Sequence, residues 1–203
     1  MKVLLVCGSS IFNKDILIKR INDDYKEIIA IDSGYNNANI LGIKPSIIIG
    51  DMDSIKDYDT NIDIIKYNPI KDDTDLKLAL DYCINKGYKN IDIICATGNR
   101  IDHMLNNISL LRYLDDNNIE GKIIDEYNII SVLHKDNHIR NISKYVSIIP
   151  ITDSIIYSSN NLYYDAKELK VNNKNILSIS NYATNEWFNI TIHEGLAYLI
   201  QSD

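Results

Sequence analysis

Over the first two-thirds of the chain, short apolar runs alternate with amphipathic stretches. Residues 2–7 read as a buried strand that stops at Gly8-Ser9-Ser10, and residues 15–21 read as a helix. A second strand over 27–31 runs into Asp32-Ser33-Gly34, and a third over 46–49 closes at Gly50-Asp51. Residues 62–67 give a less regular strand. The stretch 74–85 has helical periodicity through Leu76, Ala79, Leu80 and Cys83, and 91–96 is another buried strand. A helix over 101–114 sets Ile101, Met104, Leu105, Ile108, Leu111 and Leu114 along one face. Short, mainly apolar runs mark buried strands, and apolar positions at the helical repeat mark helices.

After about residue 133 the texture changes. Runs at 145–151, 154–157, 168–171, 176–180, 187–192 and 197–200 are short and strand-like, punctuated by Asn, Asp, Ser and Gly, with no helix between them. Strands alternating with helices imply βαβ units, whereas closely spaced short strands imply a small sandwich. The prediction is an α/β protein. A mostly parallel, Rossmann-like α/β/α domain over residues 1–138 precedes a small antiparallel β-sandwich over 139–203. In an open α/β sheet, ligands bind beyond the carboxyl ends of the strands. Polar clusters stand at those ends: Gly8-Ser9-Ser10, Asp32-Ser33-Gly34, Gly50-Asp51-Met52-Asp53-Ser54 and Thr97-Gly98-Asn99-Arg100. They are expected to converge on one crevice.

Composition narrows the classes. The chain has 203 residues, 45% hydrophobic and 24% charged, within the globular range. A formal charge of −7 argues against a general nucleic-acid binder, which needs a basic face. The apolar opening run is too short for a secretory signal, and no stretch approaches the roughly 20 residues needed to span a bilayer. A cytoplasmic protein with no membrane partner is expected. Cys7, Cys83 and Cys95 lack any C-x-x-C pairing, so buried free thiols are expected rather than disulfides or a zinc site.

Three constellations carry chemistry. Asp51 and Asp53, at i and i+2 beyond a strand, offer the hard oxygens that suit Mg²⁺; a polar turn with solvated acids reads from the same residues. Lys71-Asp72-Asp73-Thr74-Asp75 opens a helix, where acids serve either phosphate and metal binding or simply capping and the helix dipole. In Thr97-Gly98-Asn99-Arg100-Ile101-Asp102-His103, Gly98 permits close backbone approach and Arg100 can grip phosphate oxygens. Asp102 can ligate metal or orient a hydroxyl, or else pair with Arg100. His103 reads as a structural hydrogen-bonding group. No nucleophile elbow or Walker A sequence is present, which disfavours serine hydrolase and ordinary P-loop chemistry.

These residues, in this order, resemble the thiamine pyrophosphokinase family. The likeness runs through Asp32-Ser33-Gly34, Pro45, Gly50–Ser54, Lys71–Asp75 with Ala79, and Thr97–His103 with Asn106. It continues through Tyr145–Pro150, Leu162-Tyr163-Tyr164, Ser180-Asn181 and the closing Gly195–Ile200. The resemblance implies transfer of pyrophosphate from ATP to the thiamine hydroxyl, giving thiamine diphosphate and AMP. By the same resemblance, Asp51, Asp53, Asp75 and Asp102 are metal ligands and, with Arg100, catalytic. Ser33, Lys71, Asp72, Thr74, Gly98 and Asn99 would contact the nucleotide, and Tyr164, Ser180 and Asn181 the thiamine. A homodimer is implied, with thiamine at the subunit interface. The first domain would bind nucleotide and metal; the second would bind thiamine and dimerise. Three departures stand out. Met52 replaces an aromatic, Asn99 replaces a glycine in a place suited to left-handed backbone, and Asn161-Leu162-Tyr163-Tyr164 leaves Tyr163 as an alternative to Tyr164. Trp187 is expected in the sandwich core. Two other functions are compatible with the motifs: a metal-dependent nucleotide-sugar transferase, and a non-catalytic thiamine- or nucleotide-sensing module.

Overall fold

The computed structural model describes residues 1–21, 24–53, 55, 58–67 and 73–203. The chain divides into two compact units, Met1–Glu126 and Tyr127–Asp203. The division falls upstream of the 138/139 position read from the change in texture. The reason is that strands on either side of residue 135 pair with partners from the second unit.

The first unit holds β1 (Lys2–Val6), α1 (Lys14–Arg20), β2 (Glu27–Ile31), α2 (Gly34–Leu41), β3 (Ile47–Gly50), β4 (Asp63–Lys66), α3 (Asp75–Asn85), β5 (Asn90–Ile94), α4 (Ile101–Asp116) and β6 (Glu120–Ile124). Its strands run in the order β4-β3-β2-β1-β5-β6 and pair in parallel throughout. The central strands are buried on both faces, which is why β1 is an apolar run from Val3 to Val6 and β5 is apolar apart from Asn90 at its start and Asp92, a buried carboxylate paired with Lys2 at 2.9 Å. Chain order reverses between β1 and β5. The loops after these two strands therefore part in opposite directions, leaving the crevice typical of such switch points.

Helix α3 buries Leu76, Ala79, Leu80 and Cys83, the stripe expected from the sequence. Helix α4 differs. It buries Asn107, Leu110, Leu111 and Leu114, while Ile101 and Leu105 stand 65% and 60% exposed. The buried stripe is thus shifted from the expected one, because α4 packs through its C-terminal half and uses a polar residue there. The cysteines are free and buried, and burial pushes Cys83 and Cys95 up to about 12. Such thiols stay protonated and inert.

The second unit holds β7 (Asn128–Leu133), β8 (Asp136–Arg140), β9 (Tyr145–Pro150), β10 (Ser154–Asn160), β11 (Leu169–Asn172), β12 (Trp187–Glu194) and β13 (Ala197–Ser202). Strands β7-β13-β9 form one antiparallel set and β11-β10-β12-β8 another. One core joins them: Val146, Ile148 and Leu199 from the first set pack with Ile155, Tyr157 and Phe188 from the second. The expected strand at 176–180 is not a named strand. That segment instead lies irregularly along β9, held by the Ile148 amide on the Ser178 carbonyl and by Asn181 pairing with Val146. Trp187 is also not core. Strand alternation turns Phe188, Ile190 and Ile192 inward, so Trp187 faces out, 41% exposed and stacked on His138 at 4.7 Å.

Candidate active site

The strand ends of the first unit enclose a cavity of about 560 Å³. Its walls are Cys7–Ser10 after β1, Ile31–Ser33 after β2, Asp51 after β3, Asp73–Leu76 at the start of α3, and Asn99, Arg100, His103 and Asn107 around the start of α4. The ends of β1, β2 and β3, the loop between β5 and α4, and the starts of α3 and α4 thus meet, as the polar clusters led one to expect.

Acid dominates one side. Carboxylate oxygens of Asp32, Asp51 and Asp53 lie within 4.8 Å of one another. Gly50 brings the β3 end against Asp32; a Cβ built on it would stand 3.0 Å from Asp32 Cβ. The turn then folds so that the Asp53 amide donates to Asp51 Oδ1 at 3.1 Å. Asp51 beside it raises the Asp53 pKa, first by charge and then by hydrogen bonding, with smaller contributions from burial, Asp32 and Asp75. Most telling is Asp32 Oδ1, the one buried side-chain oxygen among the described residues without a hydrogen-bond partner. A buried, unpartnered carboxylate oxygen facing two further carboxylates is costly unless a cation completes it. These three donors fit a hard divalent ion.

The other sequence-derived residues divide. Asp75 lines the cavity as the first residue of α3, outside the cluster of three but close enough for its charge to act on Asp53. Thr74 is the N-cap of that helix, its Oγ1 accepting from the Lys77 amide at 3.4 Å. Ser33 sits at the N-cap of α2 and lines the cavity. Gly98 lets two crevice loops close up, since a Cβ there would stand 3.0 Å from Ser9 Cβ. Asn99 lines the cavity, but its backbone is not left-handed; that geometry falls on Cys95, at φ 54, where β5 turns into the loop. His103 is a cavity-lining residue. Ser54, Lys71 and Asp72 lie outside the described residues.

Arg100 and Asp102 pair with each other. The guanidinium meets Asp102 through Nε at 3.0 Å and Nη2 at 2.6 Å, with both side chains more than half exposed. This two-pronged hydrogen bond holds the Asp102 carboxyl well below the usual carboxylate range. A depressed folded-state pKa means that the pair contributes above the unfolded value and is lost as pH falls through the folded one. Replacing Arg100 by Ala is expected to return Asp102 to near pH ~4 in an NMR titration. Because the pair is solvated, the melting temperature should scarcely move. An Asp102 that still titrates far below that range in the variant would show a different cause.

In the second unit, Tyr164 is 69% exposed, edge-on to Tyr163, and Tyr163 stacks on Tyr182 at 4.6 Å. Asn181 is buried and its amide is occupied. It accepts from the Tyr164 and Tyr182 amides and donates to the Tyr164 carbonyl at 2.9 Å. It therefore shapes the loop that presents the tyrosines. Ser180 adopts φ 59 and donates its amide to Ser147 Oγ.

Comparison with known proteins decides the family. Residues 18–123, more than half of the chain, match the family model "Thiamin pyrophosphokinase, catalytic domain". The chain belongs to the thiamin pyrophosphokinase family. A thiamine pyrophosphokinase of Bacillus subtilis (strain 168) is 34% identical over 146 residues, the alignment covering 66% of each chain. The crystal structure of a thiamine pyrophosphokinase from Bacillus subtilis superposes with a TM-score of 0.89 at 26% identity, covering 100% of this chain and 99% of that one. A probable thiamine pyrophosphokinase from Staphylococcus saprophyticus gives 0.74 at 32% identity, with coverage of 100% and 99%. These likenesses favour thiamine pyrophosphokinase activity over the sensing module and the nucleotide-sugar transferase.

Sequence reasoning missed Asp32 as a site residue, quoting it only within Asp32-Ser33-Gly34. The signal was the same one that marked Asp51, a carboxylate immediately after an apolar strand. It also passed over Asp125 and Glu126, which follow the apolar end of β6 and lie behind the crevice loops rather than in its lining; Asp125 accepts from Thr97 Oγ1 at 2.9 Å.

Proposed function

We propose that this member of the thiamin pyrophosphokinase family transfers the pyrophosphoryl group of ATP to the hydroxyl of thiamine in a Mg²⁺-dependent reaction, releasing AMP and thiamine diphosphate. The observation that carries this reading is the carboxylate cluster with its unpartnered Asp32 oxygen, in a crevice whose lining also offers the hydroxyls of Ser9, Ser10, Ser33 and Thr74, the amide of Asn99 and the guanidinium of Arg100. Asp32, Asp51 and Asp53 would hold Mg²⁺, with Asp75 close by. When bound there, the ion supplies neutralisation of the charge on the phosphate oxygens.

The remaining work falls to the chain's own groups. Arg100 binds phosphate oxygens, and Ser33, Thr74 and Asn99 donate hydrogen bonds to the triphosphate. Gly98 keeps the loop close, and Lys71 and Asp72, by the family resemblance, would contact the nucleotide. Asp102 orients the thiamine hydroxyl towards the β-phosphorus, as transfer of this kind depends on positioning rather than a covalent intermediate. Tyr164, with Tyr163 beside it, offers an aromatic face to the cationic thiazolium or the flat pyrimidine, and Ser180 a hydroxyl. Asn181 acts there by holding the Tyr164 loop. The wider reading is a cytoplasmic homodimer whose Rossmann-like first unit binds nucleotide and whose β-sandwich binds thiamine.

Incubation with MgATP and thiamine, followed by separation of the products, tests it. AMP and thiamine diphosphate in equal amounts are expected. Binding of both substrates without AMP would leave a sensing module, and release of a nucleoside diphosphate would indicate transferase chemistry instead.

A further inference from the structure

Gly8, Ser9 and Ser10 form one wall of the crevice, on a loop that runs on to Asn13, the N-cap of α1. Two buried polar side chains from elsewhere in the first unit hold this loop at its two ends. At the near end Asn37, in α2, donates its amide nitrogen to the Cys7 carbonyl at 2.8 Å and the Ser9 carbonyl at 2.7 Å. At the far end Glu126, two residues past β6, accepts at a single oxygen from the amides of Phe12 at 2.7 Å and Asn13 at 3.0 Å.

Glu126 is only 4% exposed. Burying a carboxylate is costly unless its oxygens are satisfied, so its place in the fold calls for a return. Phe12 itself supplies no apolar anchor, standing 64% exposed. At this point the loop is fixed through its backbone, and the carboxylate is what fixes it.

We propose that Glu126 is a positioning residue for the nucleotide side of the crevice. Together with Asn37 it holds the 8–13 loop in the shape that presents Ser9 and Ser10 to MgATP. The proposal rests on the nucleotide-binding reading above. A loop released at Phe12 and Asn13 would have to be ordered again each time nucleotide binds, so the loss appears in nucleotide affinity and not in the thiamine side of the reaction.

The test compares Glu126→Ala and Glu126→Gln in the full-length protein by calorimetric titration with MgATP, thermal melting and steady-state kinetics. Glu126→Ala should weaken MgATP binding about tenfold, roughly 1.4 kcal/mol, raising the ATP KM while kcat and the thiamine KM stay close to wild type. Glu126→Gln keeps an amide oxygen that accepts from both N–H groups, and should bind within about twofold of wild type. Should Glu126→Ala not fold, Glu126→Asp, one methylene too short to reach both amides, should show the same selective loss. A Glu126→Ala protein that melts lower but binds MgATP normally would overturn the proposal, as would a Glu126→Gln variant equally impaired. Failure of the wild-type protein to bind MgATP would overturn the nucleotide reading, and this proposal with it.

Discussion

Asp51→Asn and Asp53→Asn are each expected to lose turnover on the order of a thousandfold, the scale of several kcal/mol of lost charge stabilisation at phosphate. The same changes should leave the fold intact and even strengthen it. Without a cation, three carboxylates share one small volume, and their mutual repulsion is visible in the raised Asp53 pKa. Removing one charge relieves it. Asp53→Asn should therefore raise the melting temperature of the metal-free protein while abolishing tight Mg²⁺ binding in a calorimetric titration. The sign with pH follows from linkage. A carboxyl whose folded-state pKa is raised binds more protons in the folded than in the unfolded state, so metal-free stability falls as pH climbs from about 4 through the raised value. That slope should flatten in Asp53→Asn. A variant that melts lower than wild type without metal would contradict this account of the cluster.

Gly34→Ala should be the most damaging conservative change in the first unit. A Cβ built on Gly34 would lie 1.9 Å from the Val6 carbonyl oxygen, 2.7 Å from its carbon and 3.1 Å from the Cys7 carbonyl carbon. All three are backbone atoms of the central strand and its exit, so no side-chain rotation relieves the clash. Either α2 lifts away from β1 or the strand end bends. Overpacking of this kind costs about 3 kcal/mol or more, a large part of the roughly 5–15 kcal/mol that holds a typical domain together. Urea denaturation should show a midpoint lowered accordingly. The damage also reaches function, because Ser33 and the Gly8–Ser10 wall flank the same contact. A Gly34→Ala protein with unchanged stability would mean that the helix start has slack that the structure does not show.

Which parts of this were legible in the sequence depends on what each residue answers to. Strands β1 and β2 write their burial as an apolar run, and β5 does so around a single buried carboxylate, Asp92. The α3 stripe of Leu76, Ala79, Leu80 and Cys83 is equally direct, since one helix face meets the sheet. Helix α2 is not legible. Gly34-Tyr35-Asn36-Asn37-Ala38-Asn39-Ile40-Leu41 is rich in poor helix formers, and it is helical because Tyr35, Ala38 and Leu41 are buried and Asn37 is bonded to the β1 exit. Strand β6 is hidden for a related reason. Only Ile123 and Ile124 are consecutive apolar residues there, after Glu120-Gly121-Lys122, and Gly121 lies where a Cβ would stand 2.5 Å from the Leu114 side chain of α4.

At the site, the pairing of two acids in Asp51-x-Asp53 drew notice, whereas Asp32 stood alone after its strand and became visible only when β2 and β3 were side by side. Asn181 shows the opposite case. The motif singles it out for the thiamine side, but nothing in its identity distinguishes an amide that touches a ligand from one that clasps a neighbouring loop. That distinction lives in the Tyr164 and Tyr182 hydrogen bonds, between residues up to 17 apart in the chain.

The outward turn of Trp187 has a practical side. The chain contains a single tryptophan, and it stacks face to face on His138 at the edge of the second unit. Indole emission is therefore a local reporter of that unit alone. It answers to the one imidazole stacked on it, whereas tyrosine signals are spread over both units.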